Sequence, residues 1–271
     1  MTFKTIAIFG STGQVGRNIV QALLDCKKKK FHVIQVVLPS EKDTTQQAPN
    51  AETKVIDLNV LGQDEVSAML RGVDVVVSAL NGKGLQLQPK IQDSAAAAGV
   101  KRFYPSEYGM HHVYRRPGDD EGHIHPTDVD SYDFHIVKDA DAKADFTHLR
   151  DLGDFLVETL CSPEVSENAT LNVVSDHISY NEIAALLVKH SGKPVEKRII
   201  SEEDMHGYVA NPSMIPNILS AESSFPADFW LQVKGIQGQG RFWRPRGQVH
   251  NDLFSDFKSR PFERYFQGQF S

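Results

Sequence analysis

The sequence predicts an α/β protein: a doubly wound parallel sheet followed by a smaller C-terminal α/β region on the substrate side. Three observations carry that expectation. Strand-sized apolar runs alternate with helical segments through the first hundred residues, joined by short links, as parallel strands with right-handed crossovers require. The run Gly72-Val73-Asp74-Val75-Val76-Val77-Ser78-Ala79-Leu80 is β-branched in the manner of a strand buried on both faces. The first strand, Ile6-Ala7-Ile8-Phe9, passes directly into Gly10-Ser11-Thr12-Gly13-Gln14-Val15-Gly16 and then into a helical segment from Gly16 to Leu24.

That glycine turn is the chemical signal. Gly10 allows the chain to reverse, Gly13 lets backbone N–H groups approach a pyrophosphate, and Gly16 lets the helix pack closely on the strand. The helix N-terminus adds partial positive charge. Tight turns also use glycine for steric reasons alone; the position between a strand and a helix favours the dinucleotide reading.

Composition bounds the function. A chain of 271 residues can bury a full core. Hydrophobic content of 40% and charged content of 24% are those of a globular protein. A net charge of -6 argues against general binding to nucleic acid or anionic membranes. No apolar run reaches membrane-span length, and no secretory leader is visible. Cys26 and Cys161 are too few for a disulfide framework, so a reducing, cytoplasmic location is expected.

Lys27 to Lys30 then read as a solvated loop at the end of the sheet away from ligand. The second strand, His32 to Leu38, ends where cofactor choice is normally made: acidic side chains accept from a ribose 2′-hydroxyl, basic ones meet a 2′-phosphate. Here Leu38 and Pro39 occupy the junction; Lys42 is placed for a 2′-phosphate, Glu41 for a free ribose, and both suit plain loop surface. A third strand is expected at Lys54 to Leu58, and a helix at Asp64 to Leu70 capped by Asp64. After the fourth strand, Asn81-Gly82-Lys83-Gly84 makes a second turn on the ligand side. An alanine-rich helix from Leu87 to Ala98 stops at Gly99, and a fifth strand begins at Lys101.

The segment Val100-Lys101-Arg102-Phe103-Tyr104-Pro105-Ser106-Glu107-Tyr108-Gly109 joins the glycine turn, the Gly72 to Val76 strand, Arg150-Asp151-Leu152-Gly153 and Gly238-Gln239-Gly240-Arg241-Phe242-Trp243 in a recognisable set. It resembles the NmrA-like group of atypical short-chain dehydrogenases, within it the isoflavone-reductase-like branch, and fungal members of that branch. The resemblance spans nearly the whole chain. It implies a Rossmann core and NADP(H) bound along Gly10, Ser11, Thr12, Gly13, Gln14, Val15 and Gly16, with NAD(H) as the other possibility. It also implies an adenine contact near Asp57, with Leu80, Asn81, Gly82, Pro105 and Ser106 flanking the nicotinamide.

Two departures stand out. Reductases of this type carry a basic residue where this chain has Leu38, leaving Lys42 as its substitute. Catalytic members also place a lysine on a helix after the Pro-Ser-Glu-Tyr-Gly segment, and that helix, a loop and a core strand are missing between Gly109 and Asp151, with the break near Pro126-Thr127-Asp128. Lys138 and Lys143 do not match the catalytic position, and no catalytic residue is assigned. The shortening around 110–135 implies either omitted coding material or a product without the usual chemistry. His111, His112, His123, His125, His135 and His148 enrich the region, but an irregular His-x-His loop is no zinc site and no metal is expected. Neither Tyr114 nor Tyr132 is assigned as an acid.

The C-terminal part reads as a helix at Asp151 to Leu160, a strand at Leu171 to Val174, a helix capped by Ser179 and Glu182, a strand at Val195 to Ile200 and a helix from Glu202. Pro212, Pro216 and Pro226 punctuate a stretch whose aromatics, Phe225, Phe229, Trp230, Phe242 and Trp243, suit either a lid or ordinary core. A domain boundary is expected at 150/151. The expected function is NADP(H)-linked reduction of a C=C or C=O bond in a small aromatic or polyketide-like metabolite, without nucleic-acid or membrane partners. The alternative is a dinucleotide sensor that binds a protein partner without turnover.

Overall fold

The computed structural model describes residues 2–108, 129–220 and 226–270. Its first unit contains residues 2–108 with Leu149–Leu171 and Asp252–Phe257. In order it forms β1 (Thr5–Phe9), α1 (Gln14–Asp25), β2 (His32–Val37), β3 (Ala51–Val55), α2 (Gln63–Met69), β4 (Val75–Ser78), α3 (Gln88–Ala97), β5 (Arg102–Tyr104) and α4 (Leu149–Cys161). The five strands make one sheet in the order β3-β2-β1-β4-β5, parallel throughout.

The period of two along each strand divides the apolar residues between two faces. Ile6 and Ile8 of β1, with Val33, Val75 and Val77, pack against Ile19, Val20 and Leu23 of α1 and Leu156, Val157 and Leu160 of α4. Ala7 and Phe9, with Ile34, Val36 and Val76, pack against Val66 of α2 and Ile91 and Ala95 of α3. Both faces are covered, which is the doubly wound arrangement expected.

Helix α4 spans the expected boundary at 150/151. Helix α4 buries its apolar side on the first sheet and stays with that unit. Gly153 permits this: a Cβ there would lie 2.6 Å from the Asn18 carbonyl oxygen of α1.

Two further expectations shift in this unit. The third strand is Ala51–Val55 rather than Lys54–Leu58, because β2 pairs Val33 with Ala51 through Val37 with Val55. Beyond that register the chain turns, Asp57 Oδ1 accepting from the Asn59 N–H at 2.9 Å. The cap of α2 is Gly62, whose N–H donates to Glu65 Oε2 at 2.8 Å, and Asp64 lies inside the helix.

The second unit contains residues 129–148, Asn172–Asn251 and 258–270. Its elements are β6 (Tyr132–Val137), β7 (Lys143–Phe146), β8 (Asp176–Ser179), α5 (Tyr180–Ser191), β9 (Val195–Ile200), α6 (Glu202–Ala210), α7 (Asn217–Ser220), α8 (Ala227–Gly238) and α9 (Phe262–Gln269). Strands β6 and β9 pair in parallel, β7 and β8 antiparallel. Ser179 caps α5 in the expected reciprocal way, with Glu182 reaching back to the Ser179 N–H at 2.8 Å.

Leu171 to Val174 is not a strand. Its backbone is met largely by side chains, Asn172 N–H by His250 Nδ1 at 2.9 Å and Val174 N–H by Asn251 Oδ1 at 3.1 Å, so no ladder forms. The stretch after Pro226 is helical and places Trp230 and Leu231 in the core, whereas Trp243 is half exposed. Helix α8 also carries Lys234, 1% exposed, whose ammonium donates to the Tyr180 hydroxyl and lies 4.1 Å from that ring's centroid. Burial pushes the Lys234 amine well below the ordinary lysine range.

Candidate functional site

The site develops from the exit of β1. Gly10 takes φ +77°, and a Cβ on it would fall 2.6 Å from the Ala79 carbonyl oxygen at the end of β4. A Cβ on Gly16 would fall 2.0 Å from the Gly10 carbonyl oxygen. These two glycines are therefore fixed by packing. Gly13 is different: it has ordinary extended φ, and a Cβ there would meet only the Gly10 oxygen, at 3.5 Å. The protein's own packing therefore does not require glycine at this position.

Gly13 is also the N-cap of α1. No side chain caps this helix, and its first turn contains no acid, in contrast with α5 and α6, capped by Ser179 and Ser201. The first-turn amides of α1 thus remain available to an anion. Ser11, 1% exposed, keeps a hydroxyl with no hydrogen-bond partner. A buried orphan hydroxyl beside uncapped amides fits a bound diphosphate, which supplies the missing acceptor. Val15 turns its side chain to the core shared by α1 and α4, leaving its backbone to face the turn.

The ends of β4 and β5 extend the same ledge. Ser106 Oγ donates to the Leu80 carbonyl at 2.6 Å, and the Ser106 N–H donates to Gln88 Oε1 at 2.8 Å. Asn81 is exposed and starts a 3-10 turn, Gly82–Leu87, with Gly82 at φ +52°. Pro105 is exposed beside Ser106. Gly10, Leu80 and Ser106 are thereby brought side by side along the carboxyl ends of β1, β4 and β5, the usual ligand edge of such a sheet. Sequence reasoning missed Gln88; the one signal for it was Pro89, which marks the start of α3 and aims its first residue back at the sheet.

At the end of β2, Leu38 is 40% exposed and Lys42 lies on the surface of a 3-10 turn, Pro39–Thr44. Glu41 folds inward, Oε1 accepting from the Thr12 hydroxyl at 3.1 Å and Oε2 from the Leu38 N–H at 3.2 Å. Asp57 is half-buried past the end of β3, its Oδ1 taken by the N–H and side-chain amide of Asn59.

Both lysines set aside in the sequence are occupied elsewhere: Lys138 binds Glu202 at 2.6 Å, and Lys143 binds Glu182 at 2.8 Å. Tyr132 is buried in the second unit's core. Tyr108 packs in the α1/α4 core, its hydroxyl buried, and burial pushes it above the ordinary tyrosine range. His111, His112, His123, His125, Tyr114, Phe225 and the break at Pro126-Thr127-Asp128 lie outside the described residues. Among the described residues no three His, Cys, Asp or Glu side chains gather as a metal would need.

Residues 2–118 match the model of the NmrA-like family. Phenylcoumaran benzylic ether reductase PT1 of Pinus taeda is 26% identical, with 96% of each chain covered. An isoflavone reductase-like protein of Olea europaea is also 26% identical, with 98% of each covered. The alignment with the pine protein runs over 305 positions, more than the 271 residues of this chain, so that relative holds residues without counterparts here. Among solved structures, the complex of leucoanthocyanidin reductase with NADPH from Vitis vinifera superposes with a TM-score of 0.70 at 18% identity, covering 97% of this chain and 98% of the other.

Proposed function

We propose that the chain, whose residues 2–118 match the NmrA-like family model and which is similar over its length to an isoflavone reductase-like protein, is a member of that family and an NADP(H)-dependent oxidoreductase acting on a small aromatic or polyketide-like metabolite. The observation that carries this reading is the continuous ledge from the uncapped α1 amides and the orphan Ser11 hydroxyl to the Leu80–Ser106 bond. Relatives that run nearly the length of the chain carry enzyme names, among them phenylcoumaran benzylic ether reductase PT1 and an isoflavone reductase-like protein, which favours turnover over sensing.

A bound nicotinamide supplies the hydride. The chain's own part is binding and orientation. Amides at the start of α1 and the Ser11 hydroxyl hold the diphosphate, and Gly13 admits it. Leu80, Asn81, Gly82, Pro105 and Ser106 would line the nicotinamide side, with Ser106 held by Gln88 and Leu80. Asp57 lies at the β3 end, on the adenine side. Lys42 and Glu41, on the turn after β2, would meet the ribose 2′ position.

The test is consumption of NADPH by the purified chain against a panel of small aromatics bearing benzylic ethers, enones or ketones. Loss of NADPH absorbance with formation of a reduced product is expected. Tight NADPH binding with no consumption across the panel would overturn the reductase reading in favour of the sensor.

A further inference from the structure

We propose that Glu41 sets the balance between the two dinucleotides: its carboxylate occupies donors that a 2′-phosphate would use and so narrows this chain's preference for NADP(H) over NAD(H). The inference rests on the cofactor reading above and goes beyond it by naming the discriminating residue.

The argument begins with what β2 presents. Its last residue is Val37, and the next, Leu38, brings an exposed apolar side chain to the junction rather than a cation. The 3-10 turn then carries the chain back so that Glu41, three residues on, reaches the donors at this corner. One oxygen takes the hydroxyl of Thr12, a residue only 7% exposed inside the glycine turn; the other takes the backbone N–H of Leu38. A single carboxylate therefore bridges the end of β2 and the phosphate-facing turn.

Those two donors are what a 2′-phosphate arriving at the end of β2 needs. With Glu41 in place the phosphate loses both and meets a like charge, so NADP(H) must displace the side chain. A free ribose 2′-hydroxyl, in contrast, donates to the carboxylate as it stands. Lys42 does not draw Glu41 away: it is exposed on the same turn, and the Glu41 oxygens are engaged with Thr12 and Leu38. The same geometry makes Thr12 a positioning residue, because its hydroxyl holds the carboxylate on the turn.

The experiment is titration of NADPH and NADH, each alone, by cofactor fluorescence against the wild-type chain, E41Q and E41A, with thermal melts establishing that the variants fold. Removing the charge is expected to raise the preference for NADPH over NADH by about tenfold or more in both variants, mainly by tightening NADPH. A smaller change in that ratio for both variants would overturn the role of Glu41. Failure of the wild type to bind either nucleotide would overturn the cofactor reading itself, and the inference with it.

Discussion

Ser106 Oγ donates a 2.6 Å hydrogen bond to the carbonyl oxygen of Leu80, so the ends of β5 and β4 are tied 26 residues apart in sequence. The bond holds Leu80 and the turn after it against Ser106, the segments proposed to flank the nicotinamide. Ser106→Ala is expected to lower stability by about 1 kcal/mol, the net worth of one hydrogen bond, and to weaken NADPH binding several-fold. Chemical denaturation and cofactor titration check the two effects separately. A variant with lowered stability but unchanged NADPH affinity would leave Ser106 a purely structural role.

The approach of α4 to α1 makes a stability prediction away from the site. Gly153→Ala places a methyl group where the Asn18 carbonyl oxygen stands at 2.6 Å. Overpacking of this kind costs about 1–3 kcal/mol. Urea denaturation should show the midpoint falling with little change in slope.

Lys234 makes stability depend on pH in a defined direction. Burial lowers its folded pKa, so between that value and about 10.4 the unfolded chain binds more protons than the folded one. Stability should therefore rise with pH through this window and level off above it. Lys234→Met carries no titrating group and should lose that part of the slope. Denaturation midpoints of both proteins at stepped pH decide the matter.

Cys26 Sγ and Cys161 Sγ lie 4.0 Å apart at the ends of α1 and α4. Burial first, and then the neighbouring Cys26, push the Cys161 thiol up to about 12. At mildly alkaline pH its thiolate fraction, and with it the alkylation rate, should be on the order of a thousandfold below that of an unperturbed cysteine. Peptide mass spectrometry of iodoacetamide-treated protein measures this.

Much of both units was legible in the sequence where the signals are local. The β-branched run at Val75–Ser78, the glycines at 10 and 16, and the Ser179–Glu182 box declare themselves within a few residues. What was misread depends on partners distant in sequence. The register of Ala51–Val55 is set by β2; the 171–174 segment looks like a strand but is met by His250 and Asn251. Helix α4 spans the expected boundary in sequence and packs onto α1, a close approach that Gly153 allows. In the site, the residue types at the turn were readable, whereas the inward fold of Glu41 onto Thr12, 29 residues away, required coordinates.

The central claim, that the glycine turn is a cofactor cradle rather than a merely tight turn, is tested most directly by NADPH titration of Gly13→Ala beside the wild type. The backbone at Gly13 suits alanine, and its Cβ meets nothing closer than 3.5 Å, so the variant should fold with stability within about 1 kcal/mol of the wild type. NADPH affinity should nevertheless fall by about tenfold or more, because the methyl group stands where the diphosphate approaches. A folded variant that binds NADPH as tightly as the wild type would contradict the account.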